Sequence, residues 1–323
     1  MPHTYNQNGV LGSAREREIG RELSVGRLDD RVAIVTGASR GLGKSIAELF
    51  AAEGAAVAVV ARTEVQWDPR LPGTVHETVR SIAAAGGRAV AIPADLVNPE
   101  EVDGIVDRVN AALGPVDILV NNAALTVPGR PPKGGPGGGS AAAKPAVQAP
   151  PPVPGGWSIP RGSFLAFPLK GFRLHFEIGL MATYRLMQLV LPDMIESRRG
   201  SIVNISSAAA YAPGAGPYRT SGPAGAFAYG GNKAAMHHLT QAVAAEMQQY
   251  GIPVNVLMPS DPVLSPGNLY AGAGDIDYAS PERFAEATLE VALADATVTT
   301  GQLLWSEDVL QPELGSRGWL PRS

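Results

Sequence analysis

The sequence predicts an α/β fold in which a doubly wound parallel sheet carries helices on both faces. Three observations lead there. Short runs of β-branched and small apolar residues alternate with helix-patterned segments along most of the chain. These runs are apolar at nearly every position, as strands covered on both faces are. Between the first run and the first helical segment lies a glycine-rich turn, Thr36-Gly37-Ala38-Ser39-Arg40-Gly41-Leu42-Gly43. A strand–helix rhythm of this length favours parallel strands joined by right-handed crossovers.

Taken in order, strands are expected at Val32–Thr36, Ala56–Ala61, Ala89–Ile92, Ile118–Asn121, Ser201–Ile205, Pro253–Met258 and Gln302–Trp305. Helices are expected to begin near Gly43, Val75, Pro99, Phe172, Ala226 and Pro281. Two segments break the rhythm. Residues 1–26 read as a flexible N-terminal extension. Residues from about 127 to 156 are dominated by Gly, Pro and Ala; they cannot bury enough surface to offset ordering, so a disordered loop is expected there. It interrupts a single domain, 27–323, because the chain before it lacks the strands needed to complete a sheet.

The chain has 323 residues, 45% of them hydrophobic, enough for one large core. A net charge of −4 argues against a nucleic-acid or anionic-membrane surface. Cysteine is absent, which excludes disulfides and thiolate metal sites. No run approaches the ~18 apolar residues of a membrane helix. Residues 1–30 lack the apolar stretch of a secretory signal, so a cytoplasmic location is expected. His3, His76 and His175 are scattered without matching carboxylates, and no metal site is expected.

The glycine turn is the nucleotide end. Gly37, Gly41 and Gly43 follow a strand and open a helix at about Lys44; glycine lets backbone approach phosphate oxygens, and the helix start offers free N–H groups. The second strand ends in Ala61-Arg62, with no acidic residue to bind a ribose hydroxyl. Arg62, with Ser39 and Arg40 in the turn, suits a 2′-phosphate instead. The expected cofactor is NADP(H), with NAD(H) as the alternative.

Tyr229 and Lys233 form the catalytic end. Residues four apart share a helix face, so the ammonium can lie beside the phenol. A free phenol is a poor base at neutral pH; a nearby ammonium and an oxidised nicotinamide both favour phenolate. Tyr229 could then exchange a proton with a carbonyl or alcohol oxygen, and Ser207 could hydrogen-bond the same oxygen. His237 and His238, past Lys233, read as helix surface or core edge.

Taken together, Gly37-x-x-x-Gly41-x-Gly43, Asn121-Asn122-Ala123-Ala124, Ser206-Ser207 and Tyr229-x-x-x-Lys233 resemble the short-chain dehydrogenase/reductase family, with its Rossmann-type sheet. The resemblance runs from about Leu28 to about Val309. Leu71-Pro72-Gly73-Thr74 is similar to hydroxysteroid-dehydrogenase-like members. The resemblance implies that Ser207, Tyr229 and Lys233 are catalytic, and that Lys233 also holds the nicotinamide ribose. It implies further cofactor contacts at Leu42, at Asp95 and Leu96 near the adenine, and at Asn122, Ala123, Ala124, Pro259 and Ser260. It also implies a homodimer or homotetramer paired through apolar helix faces that include Leu186, Leu189, Ala235, Leu239, Ala242 and Val243.

The sequence departs from the family pattern in one place that bears on chemistry. Gly179 stands where family members usually carry an Asn that relays protons from the lysine through water. The expectation is that Gly179 leaves room for a water to complete the relay. Tyr211, Tyr218 and Phe227, with residues 164–172 and the loop after Pro259, are expected to border an apolar pocket for a hydrophobic ketone, aldehyde or secondary alcohol. The competing readings are a non-catalytic NADP-binding sensor or scaffold, favoured by Gly179, and a partner-recruiting protein acting through the Pro-rich segment.

Overall fold

The computed structural model describes residues 26–125, 163–217, 226–270 and 277–314. The expected N-terminal extension (Gly26 apart), the Gly/Pro/Ala-rich loop and Tyr218 lie outside them. Strands β1 (Val32–Thr36), β2 (Ala56–Ala61), β3 (Arg88–Pro93), β4 (Ile118–Asn121), β5 (Ser201–Ile205), β6 (Val254–Met258) and β7 (Leu303–Trp305) form one sheet. It has seven strands in the order β3-β2-β1-β4-β5-β6-β7, and every pairing is parallel. The strand order reverses between β1 and β4, so the crevice of the doubly wound fold opens at their carboxyl ends.

Alternate residues of each strand serve opposite faces. Ala33, Val35, Val57 and Val59 pack with Ile46 and Phe50 of α1 (Gly41–Ala52) and Phe284 and Leu289 of α8 (Pro281–Ala292). Ile34, Ala58 and Val60 pack with Ile105 and Val109 of α3 (Pro99–Leu113), on the other face. Full burial of each large aliphatic or Phe side chain contributes about 1.5–3 kcal/mol. Helix starts are written in the sequence. Thr74 caps α2 (Val75–Ala84) by accepting from the Glu77 amide at 3.0 Å, Asn98 precedes Pro99 in α3, and Ser280 precedes Pro281 in α8.

The remaining long helices carry the site. α4 (Leu169–Phe176) runs through a π turn (Glu177–Met181) into α5 (Ala182–Ser197). It starts three residues before the expected Phe172. α6 (Ala226–Met247) crosses the same sheet face, and two short helices follow, α7 (Pro266–Tyr270) and α9 (Ser306–Leu310). A buried polar chain pins α6 to the strands: Asn121 Nδ2 donates to Asn204 Oδ1, and Asn204 Nδ2 to Thr240 Oγ1, each at 2.9 Å.

One expectation about the helix faces needs correction. Leu186 is fully buried within the protomer's own core and has no free face, whereas Leu189, Ala235, Leu239 and Val243 stay partly exposed and Ala242 is exposed. Met181 and Tyr184 are the large hydrophobic side chains that α5 and its π turn expose. Among the described residues no helix is long and apolar enough to cross a membrane.

Candidate active site

The glycine turn sits at the carboxyl end of β1. Gly37 and Gly41 have φ of +69° and +55°, a region that favours glycine. A β-carbon at Gly37 would stand 3.0 Å from Ala123 Cα and from Asn122 Nδ2. α1 begins at Gly41, earlier than Lys44, and Arg40 at its cap position contributes no side-chain cap. Its first amides are therefore left for an external acceptor, the arrangement that holds phosphate at a helix start. Asn122 is the turn's anchor: its Nδ2 donates to the Thr36 carbonyl at 2.8 Å and its amide to Thr36 Oγ1 at 3.0 Å. The Ala123 amide shares that hydroxyl at 3.0 Å. Ala124 follows, half-buried, and Leu42 packs against the α1-side core.

The loop after β2 presses onto the same turn. Arg40 donates to Thr63 Oγ1 at 3.2 Å and to the Gly73 carbonyl at 3.0 Å, while Ser39 is buried. Burial, and then the charge of neighbouring Arg62, push the Arg40 pKa below its ordinary value. Its Nε is enclosed without a partner. Two guanidinium groups that repel each other, one with an unused donor, fit an anion such as a 2′-phosphate. Asp95 accepts from the Val97 amide at 3.2 Å, and Leu96 packs on the α3-side core. Beyond β6, Pro259 is half-buried. The Ser260 hydroxyl accepts from the Glu307 amide at 3.0 Å, tying that loop to α9.

Across the crevice, Ser207, Tyr229 and Lys233 come together. The Ser207 hydroxyl is hydrogen-bonded with the Tyr229 side chain. Lys233 is buried under the tyrosine, with Nζ 5.9 Å from the ring centroid, and donates to the Ile205 carbonyl at 2.6 Å. Burial lowers its pKa to about 8, so it remains mostly ammonium at neutral pH. Tyr229 is shifted in the opposite direction. Burial raises its pKa, and the Ser207 bond offsets this only in part. In this state the phenol keeps its proton.

Three contacts escaped the sequence reading. Ser206, beside the serine that meets Tyr229, instead pairs with His237 Nε2 at 2.7 Å. His237 is buried, and its pKa falls to about 4 through burial and the Lys233 charge. His175 lies against Tyr229, with ring centroids 6.1 Å apart and edge to face, and its enclosed Nδ1 has no partner. Asn232 fills the space over Gly179 expected to hold water: a β-carbon at Gly179 would fall inside the envelope of Asn232 Oδ1. The spacing of two alpha-helical patterns could not show that contact, because the π turn shifts the register of α4 against α6. The aromatics do gather beside Tyr229. Phe227 meets Phe164 and Phe167 edge to face at 5.5 and 5.0 Å, and Phe167 approaches His175. Tyr211 lies apart, over His237 and Trp305.

The short chain dehydrogenase family model matches residues 31–133 and 155–263. A short chain dehydrogenase of Pseudocercospora fijiensis (strain CIRAD86) is 33% identical over 234 residues, 72% of this chain and 60% of that protein. The chain thus spans less than two thirds of that relative. The 7α-hydroxysteroid dehydrogenase of Escherichia coli (strain K12) is 30% identical over 233 residues, 72% of this chain and 71% of that protein. Among solved structures, a Beutenbergia cavernae protein assigned as an NAD(P)-dependent gluconate 5-dehydrogenase, with NADP bound at low occupancy, superposes with a TM-score of 0.64. It is 27% identical, over 88% of this chain and 98% of that one. Sheet order, glycine turn and these matches agree, and the chain belongs to the short-chain dehydrogenase/reductase family.

Proposed function

We propose that this protein is an NADP(H)-dependent oxidoreductase that interconverts a hydrophobic ketone or aldehyde and its alcohol, with Tyr229 as general acid/base. The observation that carries the reading is the hydrogen bond between Ser207 and a phenol that burial keeps protonated, with an ammonium buried beneath its ring. When bound, a nicotinamide dinucleotide supplies the hydride in reduction and receives it in oxidation.

The chain's own groups do the rest. The α1 amides after Gly37 and Gly41, with Leu42 and Gly43, would hold the pyrophosphate; Arg40, Arg62 and Ser39 would hold the 2′-phosphate. Asp95 and Leu96 would border the adenine; Asn122, Ala123, Ala124, Pro259 and Ser260 would wall the cofactor cleft. In reduction, Ser207 Oγ steadies the substrate oxygen as charge develops, and Tyr229 donates its proton to that oxygen. Lys233 then stabilises the phenolate left behind. In oxidation, the same proton moves from alcohol to phenolate. Phe167 and Phe227, both half-buried, exclude water on the substrate side. The assembly is a homodimer or homotetramer in the cytoplasm.

NADPH consumption against a panel of hydrophobic ketones and aldehydes tests the reading. Turnover of at least one class is expected. Tight NADPH binding without turnover of any would favour the sensor reading instead.

A further inference from the structure

Asn232 is buried to 2% exposure on α6, three residues after Tyr229 and next to Lys233. Its Nδ2 donates to the Tyr229 carbonyl at 2.8 Å and the Ala228 carbonyl at 3.1 Å. Two acceptors at one end fix the carboxamide's orientation, since the flipped amide would set oxygen against oxygen. Oδ1 therefore points the other way, enclosed and without a partner. What it faces is Gly179, at the centre of the π turn.

Each half of this contact carries a local cost. A buried acceptor without a donor costs about 1–3 kcal/mol. Glycine within a helix costs about 1 kcal/mol against alanine. Alanine at both positions would remove both. The two residues are nonetheless matched: a β-carbon at 179 would fall on the carboxamide oxygen, so a side chain there must displace it. Costs of this kind persist where geometry matters more than stability.

We infer that Asn232 is a positioning residue for Tyr229. Its carboxamide stands in the slot left by Gly179 and fastens the Tyr229 turn of α6 against the π turn, which keeps the phenol within reach of Ser207. The inference rests on the function proposed above, because it assigns Asn232 a part in the work of Tyr229.

The test uses Asn232→Ala, Gly179→Ala and the exchange Gly179→Asn/Asn232→Ala, which returns a carboxamide to the slot from the opposite helix. Asn232→Ala should lower kcat by about 10–100-fold, the scale of a small misplacement, with KM for NADPH unchanged. Gly179→Ala should lower kcat in the same sense by displacing the carboxamide. The exchange should recover most of kcat. Phenolate absorbance of the unloaded proteins, each against its Tyr229→Phe counterpart, gives a readout independent of turnover. The Tyr229 midpoint should move to higher pH in Asn232→Ala as the Ser207 bond loosens, and return in the exchange. An unshifted midpoint, or an exchange no better than Asn232→Ala alone, would overturn the inference. Absence of turnover in the wild type would sink the proposed function and leave the titration to decide the role of Asn232.

Discussion

The Lys233 ammonium donates to the Ile205 carbonyl at 2.6 Å and lies under the Tyr229 ring rather than on its hydroxyl. The strand that ends beside Ser206 and Ser207 thus holds the cation in place, and the cation acts on the phenol through space. The arrangement keeps a charge in a site that burial disfavours, with a consequence for stability. The folded-state pKa falls from 10.5 to about 8. Between those values the unfolded chain binds more protons, so stability rises with pH across the window. Relative to Lys233→Met, the unloaded wild type should gain on the order of 3 kcal/mol between pH 8 and 10.5. Denaturant midpoints at a series of pH values check this; parallel curves for the two proteins would contradict it.

His237 gives the same case at acid pH. Its pKa drops from 6.5 to about 4, and the ring is neutral in the fold while bonded to Ser206. As pH falls through 6.5 toward 4, the unfolded chain takes up the proton first, and stability is lost. His237→Gln should flatten this acid limb, by at most about 3 kcal/mol. Thermal unfolding from pH 7 to 4 measures it.

The Arg40 and Arg62 pair predicts cofactor choice. Arg62→Ala should lower the NADP-to-NAD ratio of kcat/KM by about tenfold or more, the value of a charge-assisted contact. Arg40→Ala should also loosen the loop it holds through Gly73. An unchanged ratio in Arg62→Ala would remove the argument for the 2′-phosphate.

The aromatic cluster predicts size selectivity. Phe167 packs between Phe227 and His175, and His175 in turn lies against Tyr229. Phe167→Ala should lower kcat/KM for bulky apolar carbonyls by about 10–100-fold, as lost apolar contacts do. Small aldehydes should be affected far less. A uniform loss across the panel would mean that the cluster only packs the loops.

Much of this was legible in the sequence, for physical reasons. Strands covered on both faces must be apolar throughout, so β1, β2, β4 and β5 carry their bounds in their composition. The glycine turn and the i, i+4 pair Tyr229/Lys233 are local patterns, and local patterns survive folding. Contacts between helices are not local. The pairing of Ser206 with His237, the approach of His175 to Tyr229 and the seating of Asn232 over Gly179 each depend on how α4 and α6 meet. The π turn that sets their register has no periodic signature. The environment of Tyr229 is non-local in the same way: sequence places an ammonium nearby, but only the fold shows burial raising the phenol's pKa against the Ser207 bond.

The proton carried by Tyr229 is the centre of the account, and Tyr229→Phe tests it most directly. The substitution removes one hydroxyl and leaves the ring packed against His175. With an accepted carbonyl substrate and saturating NADPH, kcat should fall by about 10²–10⁴-fold, the range of general acid catalysis, while NADPH affinity is retained. A phenylalanine variant that turns over at the wild-type rate would contradict the account.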